Sequence, residues 1–414
     1  MGILNQGQRE RSDAGTRSPR KAACVIAQSR LIWDARARRE AEILLSEGWT
    51  VDLMCLREPG GPWLDRWNQA RVLHLPGRRH HGSKLFAYLV EYLTFFTSAT
   101  LCVSLLTLRR RYTLIHVHNL PDFLVFAATI PRLLGARVLL DIRDPVPDLY
   151  LSKFGGDPGR FAVRAARWIE RVSTTFADHV LAPGEPSRQR LLGRGVPADK
   201  VTNILNSADP RLFRPDRHAV DRGHFTLVYH GSLFKRNGVD LVVRAVHQLR
   251  REIPELRLII AGEGEEADYL KHLVEQLDLS EQVVLAGSLP LERTVELVGQ
   301  ADLGVAPYRQ DTFTDLVYPT KSFECIAMGI PVIMSRLAGI ADLFPDVPDV
   351  FVQPGEVAAL AERIRQLYQD PERLRRLNEA LQHSYAPYAW EGQRRTFLAL
   401  VGRLVNRQRR AASS

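Results

Sequence analysis

Almost the whole chain alternates short apolar runs with segments of helical period, and few folds accommodate that. Such alternation is what βαβ units around a parallel sheet produce. Strands are expected over 22–27, 50–53, 72–75, 114–118, 137–141, 179–182 and 201–205, with helices over 35–47, 121–134 and 161–176 and near Ser187. The polar stretch 206–223, with Pro210 and Pro215, interrupts the pattern. It then restarts with strands over 225–229, 256–261, 283–286, 303–306 and 332–334, and helices over 240–252, 267–277, 291–300 and 322–328. The fold class is therefore α/β, with two Rossmann-like doubly wound domains facing across a cleft. Such sheets take ligands beyond the carboxyl ends of their strands. The expected division is a disordered basic tail (1–20), a first domain (21–215), a second (216–385), a helix returning to the first (386–408) and a short tail (409–414).

A chain of 414 residues has length for two or three domains, each with its own core. The net charge of +9 invites a nucleic-acid or anionic-membrane partner, so its location matters. Residues 1–21 carry a surplus of three and residues 401–414 a surplus of four, so the ends hold seven of the nine. The middle is nearly balanced and shows no basic stripe interleaved with aromatics, which argues against nucleic acid. Cys24, Cys55, Cys102 and Cys325 are widely spaced with no C-x-x-C pair, which fits a reducing cytoplasm and neither a zinc site nor a disulfide framework. The first twenty residues have no apolar segment of the kind a secretory signal carries. The run 85–106 approaches a bilayer span in length but contains Glu91 and is followed by Arg109, Arg110 and Arg111. It is read as a helix packed in the domain or resting on an anionic membrane surface rather than crossing it.

Three turns carry the chemistry of the second half. Gly231 and Ser232 end one strand and lead through Lys235 and Arg236 toward a helix; glycine lets a backbone approach a phosphate, and either cation can neutralise it. Gly262 and Gly264 repeat the arrangement one strand later, and Gly287 with Ser288 one strand after that. Each alone also reads as an ordinary strand-to-helix turn. Together they fall at the same end of one sheet. Thr320, Lys321, Ser322 and Glu324 open a further helix, where Thr320 can cap, Lys321 can meet phosphate and Glu324 can accept from two ribose hydroxyls. A first-turn glutamate that merely favours the helix dipole is the alternative.

With these strings in order, YHGSL and NGVDLVVRAV from Tyr229, LIIAGEGEE, VVLAGSL, ADLGVAPYR and YPTKSFECIAMGIPVI, the chain resembles the retaining glycosyltransferases of family 4, which have the GT-B fold. In the first half HVHNLPDFLVFA, LLDIRDP and ADHVLAPGEPSRQRLLGRGVPADKV are similar to the family's acceptor-side domain. The resemblance implies a nucleotide-diphosphate sugar donor, a glycan or lipid-linked acceptor and no metal or other cofactor. It assigns Glu324 to the donor ribose, the turn at Gly231 to the diphosphate and His118 to a place facing the donor from the opposite domain. The family's arginine and lysine in the diphosphate loop are replaced by Ser232 and Asn237, so Arg236 is expected to substitute, with Lys235 beside it. The first Glu of the family's E-x7-E pattern is replaced by Leu316, leaving Lys321 for that segment's contacts. A Gly-Gly loop in the first domain is replaced by 29–34.

Cleaving an anomeric carbon from a diphosphate builds negative charge on the leaving oxygen, so preorganised donors are required there. His118, Arg236 and Lys321 are the catalytic candidates, and Asp34, Arg143 and Asp144 the acceptor-side ones. His116 and His118 alternate on a strand and so share a face, where a hydrogen-bonded core histidine is the alternative reading. No D-x-D pair occurs, and no metal ligand is assigned. A nucleotide-sugar 2-epimerase and a non-catalytic partner subunit that kept the fold are the competing functions. A dehydrogenase is excluded because no G-x-G-x-x-G follows the first strand.

Overall fold

The computed structural model describes residues 21–31, 34–77, 85–154, 161–215 and 223–412. The basic tail 1–20 lies outside them, as do residues 413–414 and part of the loop 29–34. Two sheets carry the architecture. The first runs β3-β4-β2-β1-β5-β6-β7-β8, from β1 (Ala22–Ile26), β2 (Thr50–Leu56), β3 (Leu64–Trp67), β4 (Ala70–Leu75), β5 (Leu114–His118), β6 (Arg137–Asp141), β7 (His179–Ala182) and β8 (Val201–Asn203). The second runs β11-β10-β9-β12-β13-β14, from β9 (Phe225–His230), β10 (Leu256–Ala261), β11 (Val283–Gly287), β12 (Leu303–Ala306), β13 (Val332–Ser335) and β14 (Phe351–Val352). All pairings are parallel except β3 with β4.

The central strands are near-continuous apolar runs, as expected where helices cover both faces of a parallel sheet. On one face of the first sheet Phe95, Ala99 and Val103 of the helix Leu85–Arg109 pack with Leu124 and Val125 of the 3-10 segment Asp122–Ala128. On the other, Ala37, Ala41 and Leu44 of the helix Ala35–Ser46 meet Phe397, Leu400 and Leu404 of the last helix, Trp390–Ala412. The chain therefore ends against the sheet it began with. In the second sheet β9 is the switch point, with β10 and β11 added on one side and β12 to β14 on the other. A crevice opens there, beyond the carboxyl ends of β9 and β12.

Four local features differ from the sequence reading. Segment 121–134 is not one α-helix but a 3-10 stretch, Asp122–Ala128, followed by Thr129–Leu133. Edge strand β3 (LDRW) is mostly exposed, so no apolar alternation marks it. The helix Val146–Phe154 begins in a Pro-rich string that reads as a turn. Finally, the helix Phe161–Phe176 exposes Phe161 and Trp168 among Arg164, Arg167 and Arg171, so an aromatic-basic stripe exists where none was read.

Phe397 is fully buried, and its ring lies 5.7 Å from that of His116. Truncating it leaves a cavity between the last helix and the first sheet. Phe397→Ala is expected to cost about 3–5 kcal/mol. Urea unfolding followed by circular dichroism measures this; an unchanged midpoint would mean the returning helix adds nothing to stability.

Candidate active site

The strand β9 ends at His230, and the turn after it is held from behind. Gly231 N donates to Ala261 O (2.8 Å) and Leu233 N to Glu263 O (2.9 Å), stacking the turn after β10 under the turn after β9. Gly262, at φ +155°, permits this, since a Cβ there would lie 1.8 Å from Gly231 O; one at Gly264 would lie 2.4 Å from Leu233 O. Both glycines therefore let the second turn pack directly against the backbone of the loop. Gly287 and Ser288 are exposed and are not among the residues that line the cleft.

The loop continues into a 3-10 turn, Lys235–Asn237, that aims Arg236 into the cleft. The Arg236 guanidinium lies 4.7 Å from the Phe234 ring and 5.4 Å from that of Phe313, so two aromatic faces hold it by cation–π attraction. Lys235 is exposed, and of the two only Arg236 is among the residues lining the cleft.

The second wall is the helix Thr320–Ala327. Lys321 and Glu324 are three residues apart and so share one face. Lys321 Nζ donates to Tyr229 OH (2.9 Å) and Tyr308 OH (3.0 Å). Burial opposes its charge, yet the two phenol oxygens outweigh that and keep the ammonium form above the ordinary lysine range. Asn237 Nδ2 donates to the same Tyr229 oxygen (3.0 Å) and to Ser232 O (2.6 Å). Asn237 thus braces the loop, and the cation arrives from another segment. His230 Nε2 lies 2.7 Å from Glu324 Oε2. A Cβ at Gly231 would come within 3.5 Å of Lys321 Nζ, so loop and helix converge. Two residues on this helix differ from expectation. Pro319, not Thr320, occupies the N-cap position, and Thr320 Oγ1 accepts from Asn206 Nδ2 (3.1 Å). Ser322 is fully buried, outside the cleft.

Gly231, Ser232, Arg236, Thr320, Lys321 and Glu324 line one cleft of about 390 Å³, which Asp144 and Leu149 complete from the first half. Burial raises the pKa of Asp144 despite Arg143 and Arg236 nearby. Ser152 Oγ to Asp311 Oδ2 (2.6 Å) and Ser187 Oγ to Leu316 O (2.8 Å) tie the halves across it. Sequence reasoning missed His230, Asn237, Tyr308 and Phe313 as lining residues. Tyr308 lies just past β12, at the same sheet end as Gly231, and that position was the available signal.

His118, Asp34 and Arg143 are not among the residues that line this cleft. They join a buried network behind it. Arg143 pairs with Asp34 (2.8 Å) and donates to His118 Nδ1, while Arg36 Nε donates to Asp141 Oδ2 (2.7 Å). Asp34 itself caps the helix Ala35–Ser46 through Ala37 N. Burial alone would raise both aspartates, but Arg143 beside Asp34 and Arg36 beside Asp141 hold them well below the usual carboxylate range. Glu40 Oε2 lies 3.5 Å from His116 Nε2 and 3.4 Å from His118 Nε2. Glu40, His116, His118 and Asp141 present donor atoms within 4.8 Å of one another, the types a metal prefers. Arg36 and Arg143 already neutralise this cluster, so a cation there would face two guanidiniums. Burial lowers the pKa of both histidines and keeps them neutral.

Burial first, and the Asp141 charge second, push Glu40 up to about 8 from an ordinary 4.5. The folded state then binds this proton more tightly than the unfolded one, so stability falls as pH rises from the ordinary value through about 8. Glu40→Gln removes the ionisation. It is expected to raise Tm at pH 8.5 by about 2–4 °C and to change it little at pH 5. Scanning calorimetry at both values checks this, and equal shifts would contradict it.

A model of the glycosyl transferases group 1 matches residues 212–383, and one of a glycosyl transferase 4-like domain matches residues 34–207. The gpi3 subunit of the fission yeast Schizosaccharomyces pombe phosphatidylinositol N-acetylglucosaminyltransferase is 21% identical over 61% of the chain. The match spans about half of that protein (52%). The GDP-mannose-dependent alpha-(1-6)-phosphatidylinositol monomannoside mannosyltransferase of Mycolicibacterium smegmatis is 27% identical over 73% of the chain and 80% of its own length. Anabaena HepE, solved in complex with UDP-glucose, superposes with a TM-score of 0.68 at 15% identity over 92% of the chain and 99% of its own. The two family matches occupy the two sheets in turn, the paired-sheet fold recurs in that neighbour, and the chain belongs to the family 4-like glycosyltransferases of the GT-B fold.

Proposed function

We propose that the protein is a retaining glycosyltransferase that moves a sugar from a nucleotide-diphosphate donor to a glycan or lipid-linked acceptor, without a metal or other cofactor, at the cytoplasmic face of a membrane. One observation carries this reading: Arg236 on the loop and Lys321 on the facing helix line the same cleft, with the Lys321 ammonium close to Gly231. Two fixed cations and the loop backbone match a diphosphate, whose charge grows as the glycosidic bond breaks. Such donors, partly withdrawn from water, stabilise that charge without reorganising. The HepE complex with UDP-glucose supports a nucleotide-sugar donor. The two phosphatidylinositol-directed relatives support a lipid-linked acceptor.

Roles follow from position. Glu324 accepts from the ribose hydroxyls, and Ser232 and the Gly231 backbone meet the phosphates. Thr320 contributes backbone at the helix start. Asp144, facing from the first half, lies on the acceptor side, with Asp34 and Arg143 behind it. His118 is sealed behind Arg143 and supports that wall rather than transferring a proton. Among the described residues of the second half Glu324 is the carboxylate that lines the cleft, and front-face attack, in which the leaving phosphate takes the acceptor proton, fits retention.

Membrane contact is assigned to the first half. By length and composition Val90–Arg109 could cross a bilayer, but Phe95, Ala99 and Val103 pack on the sheet while Leu101, Leu105 and Leu108 face outward. Arg110 is turned inward to Asp52 (3.2 Å), leaving Arg109 and Arg111 exposed. This outward face is apolar and ends in exposed arginine, a composition suited to an anionic interface.

Two experiments test the reading. Incubation with a panel of nucleotide sugars and lipid acceptors in EDTA is expected to yield product whose anomeric configuration, read by NMR, equals the donor's. Arg236→Ala is expected to lower kcat about 10²-fold; an inverted product or unchanged kcat would overturn it. Separately, the protein is expected to float with anionic but not neutral liposomes, and failure to float would remove the membrane assignment.

A further inference from the structure

Two consecutive residues of β9 grip two residues of one helical face: Tyr229 takes Lys321, and His230 takes Glu324. The first contact belongs to the cation already described. The second has a separate consequence. His230 is 5% exposed, lines the cleft and immediately precedes the Gly231 turn. The Glu324 carboxylate, in the same cleft, lies 2.7 Å from His230 Nε2. An ionised carboxylate only accepts, so Nε2 carries the proton and donates to Oε2.

That contact settles a geometrical problem. A carboxylate that must receive two neighbouring hydroxyls needs both oxygens held in one plane and one rotation. Glu324 has rotatable bonds, and its side chain is 20% exposed. A diphosphate in the same cleft would also repel it. Pinning Oε2 from the strand fixes the rotation, leaves Oε1 and the remaining lone pair of Oε2 open, and offsets the repulsion.

We propose that His230 is a donor-positioning residue: by holding the Glu324 carboxylate it makes the cleft select a nucleotide with an intact ribose diol over its 2′-deoxy form. This rests on the reading of Glu324 as the ribose acceptor. Losing a hydroxyl from a site built to accept its hydrogen bond leaves that site unpaired and costs affinity. Losing the pin should cost the same discrimination without touching either ligand's phosphates.

Calorimetric titration with UDP, GDP and ADP, followed by the 2′-deoxy form of whichever binds tightest, is the test. The wild type is expected to prefer the ribonucleotide about tenfold or more. His230→Phe is expected to weaken the ribonucleotide about tenfold, leave the deoxynucleotide within about twofold and so erase the preference. His230→Gln, which keeps an N–H donor, is expected to restore part of it, and it decides the matter should the Phe variant fail to fold. Glu324→Ala separates the two layers. If it loses the preference while both His230 variants keep it, the role of His230 is overturned and the donor reading stands. If Glu324→Ala also keeps it, or no nucleotide binds, the reading beneath falls as well.

Discussion

The site depends on the docking of the helix Thr320–Ala327 onto the end of β9. Its two polar contacts, Lys321 with Tyr229 and Glu324 with His230, join groups on opposite sides of the switch point in the second sheet. Those contacts draw together a loop and a helix start that are about ninety residues apart in the chain. Because both are hydrogen-bonded and largely shielded from water, each is stronger than it would be at the surface. The walls of the cleft are therefore tied to each other by the protein's own hydrogen bonds, and preorganisation of that kind is what charge stabilisation requires.

Electrostatics then separates the two halves. The second half presents cations toward the cleft, Arg236 held by two aromatic rings and Lys321 by two phenols. The first half buries a nearly self-neutralised set of Asp34, Glu40, Asp141, Arg36 and Arg143 behind its wall. One arrangement turns positive charge toward the cleft, and the other ties the strands and helices of the first half together through buried ion pairs. That the sequence substitutes Ser232 and Asn237 in the loop is reconciled by the same geometry, since Asn237 and Lys321 share the Tyr229 oxygen.

Much of this was legible in the residues. Buried parallel strands announce themselves as apolar runs, so β1, β5, β6, β10 and β12 were placed with little error, and the glycine punctuation showed which ends carry turns. Arg236, Lys321 and Glu324 were readable because a charge beside a glycine turn or at a helix start has few other reasons to be there. The packing of Gly262 and Gly264 against the loop was not legible, because close approach of a backbone to a ligand and close approach to another backbone ask for the same residue. The surroundings of His118 were not legible because strand alternation fixes a face and not what covers it; Arg143 and Glu40 lie against it here. Tyr308 and His230 carry no motif, and only the topology brings them to the site.

The central claim is that Arg236 and Lys321 act on a single diphosphate, and a double-mutant cycle in nucleotide binding addresses it most directly. Affinities of UDP, GDP or ADP for Arg236→Ala, Lys321→Met and the double variant, compared with the matching monophosphates, give the coupling. The account predicts non-additive losses for the diphosphate, by about 1 kcal/mol or more, and near-additive ones for the monophosphate. Strict additivity for both ligands would contradict it.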